Sequence, residues 1–162
     1  MKKTSAARAA LVLTALLLIS GCGSSSSSTS SQSANPTVVS TAPSQNPKLR
    51  GTQILVDSKG LVLYAFSKDP ENTFHSHCLG RCEATWPPLI LSGNAPVASG
   101  QALGTQLGAV KRSDGKLQVD YAGHLLYTYV LERKSGEALG NGVASFGGTW
   151  QALSASGRPV SG

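Results

Sequence analysis

The sequence predicts an all-β fold: a small antiparallel β-meander domain built from two pseudo-symmetric repeats. Three observations carry this. Val56 to Asp69 lies over Val119 to Glu132 without a gap, at an offset of 63 residues. Each copy contains short aliphatic and aromatic runs separated by Gly turns, which is a hairpin pattern. Outside the first 21 residues, no segment sustains an apolar 3.6-residue period for three turns. The 162-residue chain is 40% hydrophobic and 14% charged, with 18 Gly and 8 Pro. That balance suits one turn-rich exported domain, not a coiled coil or a polyelectrolyte tail.

Residues 1–21 form a targeting segment. Lys2, Lys3 and Arg8 make a positive start, and Ala9 to Ile19 is an apolar run of 11 residues, too short for a membrane span of about 20 helical residues. The run ends in Leu18-Ile19-Ser20-Gly21-Cys22, which resembles the lipobox of bacterial lipoproteins. The resemblance implies cleavage before Cys22, acylation of its sulfur (a palmitate-type modification) and a membrane anchor made of lipid. Each buried methylene contributes about 0.8 kcal/mol, so two or three acyl chains suffice to hold a protein that has no spanning helix.

Residues 22–47 read as a lipid-anchored, Ser/Pro-rich flexible tether, with Ser24 to Ser28 unbroken and Pro36, Pro43 and Pro47 beyond. Too few apolar residues are present to offset the entropy of ordering such a segment. About 24 flexible residues reach roughly 25 to 30 Å, enough to hold a domain clear of lipid head groups. The folded domain is expected over 48–155, with repeats at about 50–90 and 113–154, followed by a flexible tail over 156–162. Once the leader is removed, 11 basic residues face 8 acidic ones. The basic pairs, Lys111-Arg112 and Arg133-Lys134, are not interleaved with aromatics, so no stripe able to neutralise several phosphates exists and nucleic acid is not an expected partner.

Within the copies, Ile54-Leu55-Val56 and Leu117-Gln118-Val119 are expected strands. Each leads through Gly60 or Gly123 into a second strand, Leu61 to Phe66 or Leu125 to Val130. By the period of two, Tyr127, Tyr129 and Leu131 share one face. Ser113-Asp114-Gly115-Lys116 is a further hairpin turn, joining Leu107–Arg112 to Lys116–Asp120. Trp86 and Trp150 close the two copies.

Tyr64, Phe66 and Asp69, followed by Cys78-Leu79-Gly80-Arg81-Cys82 and Trp86-Pro87-Pro88-Leu89, resemble the secreted-repeat bacterial lipoproteins with a Y-x-[FWY]-x-x-D motif. Tyr127, Tyr129, Gly136, Gly140, Gly142 and Trp150 continue the resemblance in the second copy, which has Glu132 in place of Asp and lacks the cysteine pair. The resemblance covers about residues 50 to 153 and implies an exported domain of unestablished biochemical role.

Read from the residues, the motif is chiefly structural: two aromatics on one strand face fill a core, and the acid accepts N–H groups of the turn that ends the strand. The other reading has the copies facing each other and offering Tyr64, Tyr127, Asp69 and Glu132 to a shared ligand. Paired acids also serve glycoside hydrolysis, but only at a defined separation around a sugar cleft. Ser113-x-x-Lys116 has the spacing of penicillin-recognising serine enzymes, yet Asp-Gly makes a β-turn where a helix is required. Gly140-x-Gly142 lacks the third small residue and the βαβ setting of a dinucleotide site. No nucleophile with an evident base is found, so the chain is read as no enzyme and as needing no cofactor.

His75-Ser76-His77-Cys78-x-x-x-Cys82 leaves two readings open. Two mature cysteines outside the cytoplasm favour a disulfide, and Gly80 allows the tight turn that bridging needs. Alternatively, His75, His77, Cys78 and Cys82 are ligands suited to copper(I) or zinc; the same thiols cannot do both. Two functions follow. The first is a membrane-anchored, non-catalytic binding or interaction module of the cell envelope, whose partners are membrane lipid through Cys22 and an envelope protein or small ligand. The second is a periplasmic or extracellular metal-handling protein. Gly23 after Cys22 favours the outer membrane if the host has two.

Overall fold

Alternation of side chains along short strands is what divides this molecule into two cores, and the strands follow from it. The structure, a computed structural model, describes residues 35–72 and 75–162. The expected leader, Cys22 and the tether's first part lie outside the described residues, as does Phe74. Among the described residues there are three three-stranded sheets. The first contains β1 (Val38–Pro43), β2 (Gln53–Asp57) and β4 (Val97–Ala98), with β1 in the middle. The second places β9 (Gly148–Ala152) between β3 (Tyr64–Phe66) and β8 (Ala144–Ser145). The third is β5 (Leu107–Lys111), β6 (Leu117–Tyr121) and β7 (His124–Leu125), in sequence order. All pairings are antiparallel except β1 with β4. The all-β class and the two copies are therefore as the sequence predicts, although only the third sheet runs as a plain meander.

The Ser113–Lys116 turn forms as expected: Gly115 takes φ +83° and the Asp114 carboxylate accepts the Lys116 N–H at 3.0 Å. Elsewhere the expected hairpins are altered. Gly60 and Gly123 both turn at φ +82°, but β3 then leaves β2 after the isolated Val56–Val62 bridge and pairs with β9, register Tyr64 to Ala152. The second copy's strand shortens to His124–Leu125. Beyond it the chain bends at Val130–Glu132, where the Glu132 N–H bonds the Tyr129 carbonyl at 3.1 Å. Leu131 is consequently exposed and does not share the face of Tyr127.

Two expected boundaries also shift. The domain begins well before Lys48, because β1 pairs with β2 over Val39 to Pro43 and fills a ladder that would otherwise be open. The polar composition of 38–47 concealed this, since a segment held by backbone bonds to a strand on each side needs few apolar side chains. The residues past 155 pack as well: Val160 N–H donates to the Ala152 carbonyl at 2.8 Å and its side chain lies against the core. One short helix, α1 (Arg81–Thr85), was not anticipated. Its five residues are too few to show a helical period.

Hydrogen bonds tie each copy to the other. The Leu153 N–H donates to the Leu63 carbonyl (3.2 Å), and at the equivalent positions the Leu89 N–H donates to the Leu126 carbonyl (2.9 Å). Val130 N–H donates to the Thr85 carbonyl at 3.0 Å, and Ser67 N–H to the Thr149 carbonyl at 3.0 Å. At the centre Tyr64 and Tyr127 exchange both backbone bonds, 2.8 and 3.0 Å. The first strand pair of each copy is thus completed by the tail strand of the other, around a pseudo-two-fold axis between Tyr64 and Tyr127.

Strand β3 is buried on both faces. Tyr64 and Phe66 enter one core with Ile54, Val56, Trp86, Tyr127 and Trp150; Leu63 and Ala65 enter the other with Leu55, Tyr121, Leu126 and Leu153. Arg112, one of the paired bases, is buried, with its guanidinium on Glu83 of α1 and on Gln118.

Candidate functional site

Tyr64 opens β3 and Tyr127 lies two residues past β7, and the bridge between them puts both phenols in one core. Both side chains are fully buried. The Tyr64 hydroxyl donates to Glu132 Oε1, and the Tyr127 hydroxyl donates to Asp69 Oδ2 at 2.5 Å. The motif is therefore completed crosswise: each copy's tyrosine is bonded to the acid of the other.

The acids accept more than the phenols. Glu132 takes the Val62 and Leu139 N–H groups at 3.0 Å each, and Asp69 takes the His77 N–H at 2.6 Å. Val62 comes from the other copy, whereas Leu139 and His77 lie seven and eight residues beyond their acids, in the loops that follow. The turn that ends each strand is closed by a backbone bond, Asp69 N–H to the Phe66 carbonyl at 3.0 Å and Glu132 N–H to the Tyr129 carbonyl at 3.1 Å. The expectation that the acid caps its own turn is thus corrected: the carboxylate takes its donors from the loop that follows and from the other copy. Burial first, and then the charge of Glu132, hold the Tyr64 phenol far above the ordinary tyrosine value. Burial and then Asp69 do the same to Tyr127. Glu132 is itself raised, because burial outweighs its donors.

The motif's other rings form one stack. Phe66 lies on Trp150 (centroids 4.1 Å, planes 9° apart), Trp150 on Trp86 (4.1 Å, 3°), and Trp86 on Tyr129 (4.2 Å, 18°). Again each strand aromatic meets the tryptophan of the other copy. Tyr64 stands edge-on to Trp86 at 5.4 Å and Tyr127 edge-on to Trp150 at 5.1 Å. Gly140 permits this packing, since a Cβ there would come within 2.7 Å of the Trp86 ring and 2.9 Å of Tyr64. Its N–H also donates to the Tyr64 oxygen at 3.1 Å.

The His-Cys segment, which the sequence reading treated separately, closes over this arrangement. Cys78 and Cys82 are joined in a disulfide with Cα atoms 5.1 Å apart, and the intervening Gly80 takes φ +58°. Both sulfur-bearing side chains lie in the aromatic core, so the pair is not available as thiolates and the four-ligand metal reading of His75, His77, Cys78 and Cys82 does not hold in this structure. Among the described residues no group of three or more His, Cys, Asp or Glu is placed to hold a metal ion. His77 is exposed, its Nδ1 3.5 Å from Asp69 Oδ1, and His75 lines a small surface pocket with Lys111 and Ser113. Ser76 Oγ lies 2.8 Å from the Tyr127 hydroxyl and accepts the Cys78 N–H at 3.1 Å.

Ser76, Val62, Leu139 and Gly140 were missed as partners. Only Gly140 carried a signal, its place among the clustered glycines Gly136, Gly140 and Gly142 of the second copy. A cleft of about 260 Å³ lies beside Asp69, walled by Phe66, Pro70, Glu71 and His124, with His124 Nε2 3.3 Å from Glu71.

Two copies interlocked through a Tyr–acid crossover and a shared aromatic stack define a two-repeat, pseudo-symmetric β domain. The family described as "Secreted repeat of unknown function" (Lipoprotein_15) matches at residues 51–90 and 108–154, more than half of the chain. The chain belongs to that family, and the second match begins five residues earlier than the repeat boundary read from sequence, so that it takes in β5 from Gly108 onward. The family's description supports export. No curated protein and no solved structure matches the chain. Among the described residues no helix is long and apolar enough to cross a membrane.

Proposed function

We propose that this protein is an exported lipoprotein, held to the membrane by acylated Cys22, whose two-copy domain is a non-catalytic module that binds an envelope protein or a small ligand. The observation that supports a non-catalytic role is the state of the motif's acids. Asp69 is 9% exposed and Glu132 3%, and their oxygens are taken up by phenols and backbone N–H groups of the domain itself. Carboxylates that act on substrate need an open face. Binding then falls to the outer surface, where the cleft beside Asp69 and another of about 400 Å³ between Gln45–Pro47 and Lys134–Leu139 offer concavity.

Anchoring is tested by replacing Cys22 with Ser in the full chain and following both fatty-acid labelling and fractionation. Loss of label together with release from the membrane fraction is expected. Equal labelling and equal membrane retention of the variant would overturn the anchor.

A further inference from the structure

The four-ring stack and the two Tyr–carboxylate pairs invite a question that binding does not answer. Indole and phenol are side chains that give up one electron. Phenol does so readily only when its proton has an acceptor, because the phenol radical cation is a very strong acid. Here the two indoles are in face-to-face contact, and each touches the edge of a buried tyrosine. Each of those tyrosines already points its proton at a carboxylate. The Trp150 Nε1–H is buried and has no hydrogen-bond partner among the described residues, so a hole on that indole has no acceptor for its proton and stays transferable.

The ends of the stack differ. Tyr129, half-buried, closes one end, while the other is Phe66, 3% exposed, whose benzene ring is much harder to oxidise. The motif position is the same in both copies, and only its occupant has changed.

We infer that the stack is a one-electron relay, open at Tyr129, that carries an oxidising equivalent through Trp86 and Trp150 to Tyr64 or Tyr127. An outer-sphere one-electron oxidant at the surface is reduced by one electron, leaving a hole on Trp86. Tyr64 then gives an electron to Trp86 and its phenolic proton to Glu132. The products are an intact indole, a neutral Tyr64 radical and a protonated Glu132. Through Trp150 the same transfer leaves a neutral Tyr127 radical and a protonated Asp69. A one-electron reductant reverses either step, the proton returning from acid to phenolate oxygen. Burial keeps the Tyr64 phenol protonated in the resting state, so electron and proton leave together. The relay is independent of the anchor and of any bound ligand.

The probe is photogenerated ruthenium(III) tris-bipyridine, with a cobalt(III) ammine as electron sink, acting on the full-length protein, and the radical is read by electron paramagnetic resonance after freeze-trapping. With ring-deuterated tyrosine to assign the signal, a neutral tyrosyl radical is expected in the wild type. Tyr121, whose hydroxyl bonds Ala155 and Leu103 in the other core, serves as the control: Tyr121→Phe leaves the signal unchanged. In a Tyr129→Phe background, which removes the half-buried phenol at the open end of the stack, the double variant Tyr64→Phe plus Tyr127→Phe keeps both rings and loses the tyrosyl signal, an indole radical taking its place. If the double variant does not fold, each single variant is expected to lose part of the signal. No tyrosyl signal in the wild type, a signal unaltered by these substitutions, or one abolished by Tyr121→Phe overturns the relay.

Discussion

Tyr64 joins three interactions that sequence displays as one letter. Its backbone bonds Tyr127, its ring edges onto Trp86, and its hydroxyl reaches Glu132. Tyr64→Ala removes ring and hydroxyl together and is expected to cost about 3 to 5 kcal/mol, as large core truncations do. Tyr64→Phe keeps the ring and removes one of three donors to Glu132, a loss of about 1 to 3 kcal/mol. Urea unfolding of both variants checks the order, and equal losses would show that the hydroxyl carries the whole effect. Glu132 makes a prediction about pH. Its folded value is raised above the ordinary 4.5, with burial the leading cause. Folding thus favours the protonated acid, and this contribution is complete below the unfolded value and is lost as pH rises through the folded one. Relative to Glu132→Gln, the wild type should therefore become less stable as pH is raised from about 4 to 7, a trend read from paired urea midpoints at each pH. An opposite slope would mean that the three donors outweigh burial.

At the scale of elements, the strands are short and β3 does not stand without the other copy. β3 has three residues and its ladder partner, β9, belongs to the second repeat. The Pro87–Leu89 segment of the first repeat bonds Leu126 and Thr128 of the second. A chain cut between Ser99 and Leu103 should therefore give two fragments that each lack a cooperative unfolding transition as monomers, and that regain one when mixed. Circular dichroism melts and size-exclusion chromatography of each fragment and of the mixture provide the measurement; a first fragment that melts cooperatively as a monomer would refute the interlock. The hairpins around Gly60, Gly115 and Gly123 were legible because positive φ leaves a residue signature. The departure of β3 toward β9 was not, because alternation tells which face a side chain takes and is silent about the strand alongside. The five-residue α1 was hidden for a related reason: it is held by the Cys78–Cys82 bridge and the Arg112–Glu83 pair, contacts from outside the helix.

For the whole molecule, the offset of 63 residues revealed two equivalent copies, and the equivalence of Asp69 with Glu132 and of Phe66 with Tyr129. An offset relates positions that correspond, whereas the domain is built on positions that do not: Tyr64 with Glu132, Phe66 with Trp150. The crossover was therefore out of reach of alignment and needed the axis between Tyr64 and Tyr127. Two units that complete each other's sheets, share their tryptophans and exchange tyrosine for acid have the geometry of a symmetric homodimer, here joined in one chain by the 91–106 connection. Covalent union removes the demand that both halves be the same. One half is then free to keep its cysteine bridge and Phe66 while the other takes Glu132 and Tyr129, and the domain gains a sidedness that no pair of identical subunits can have.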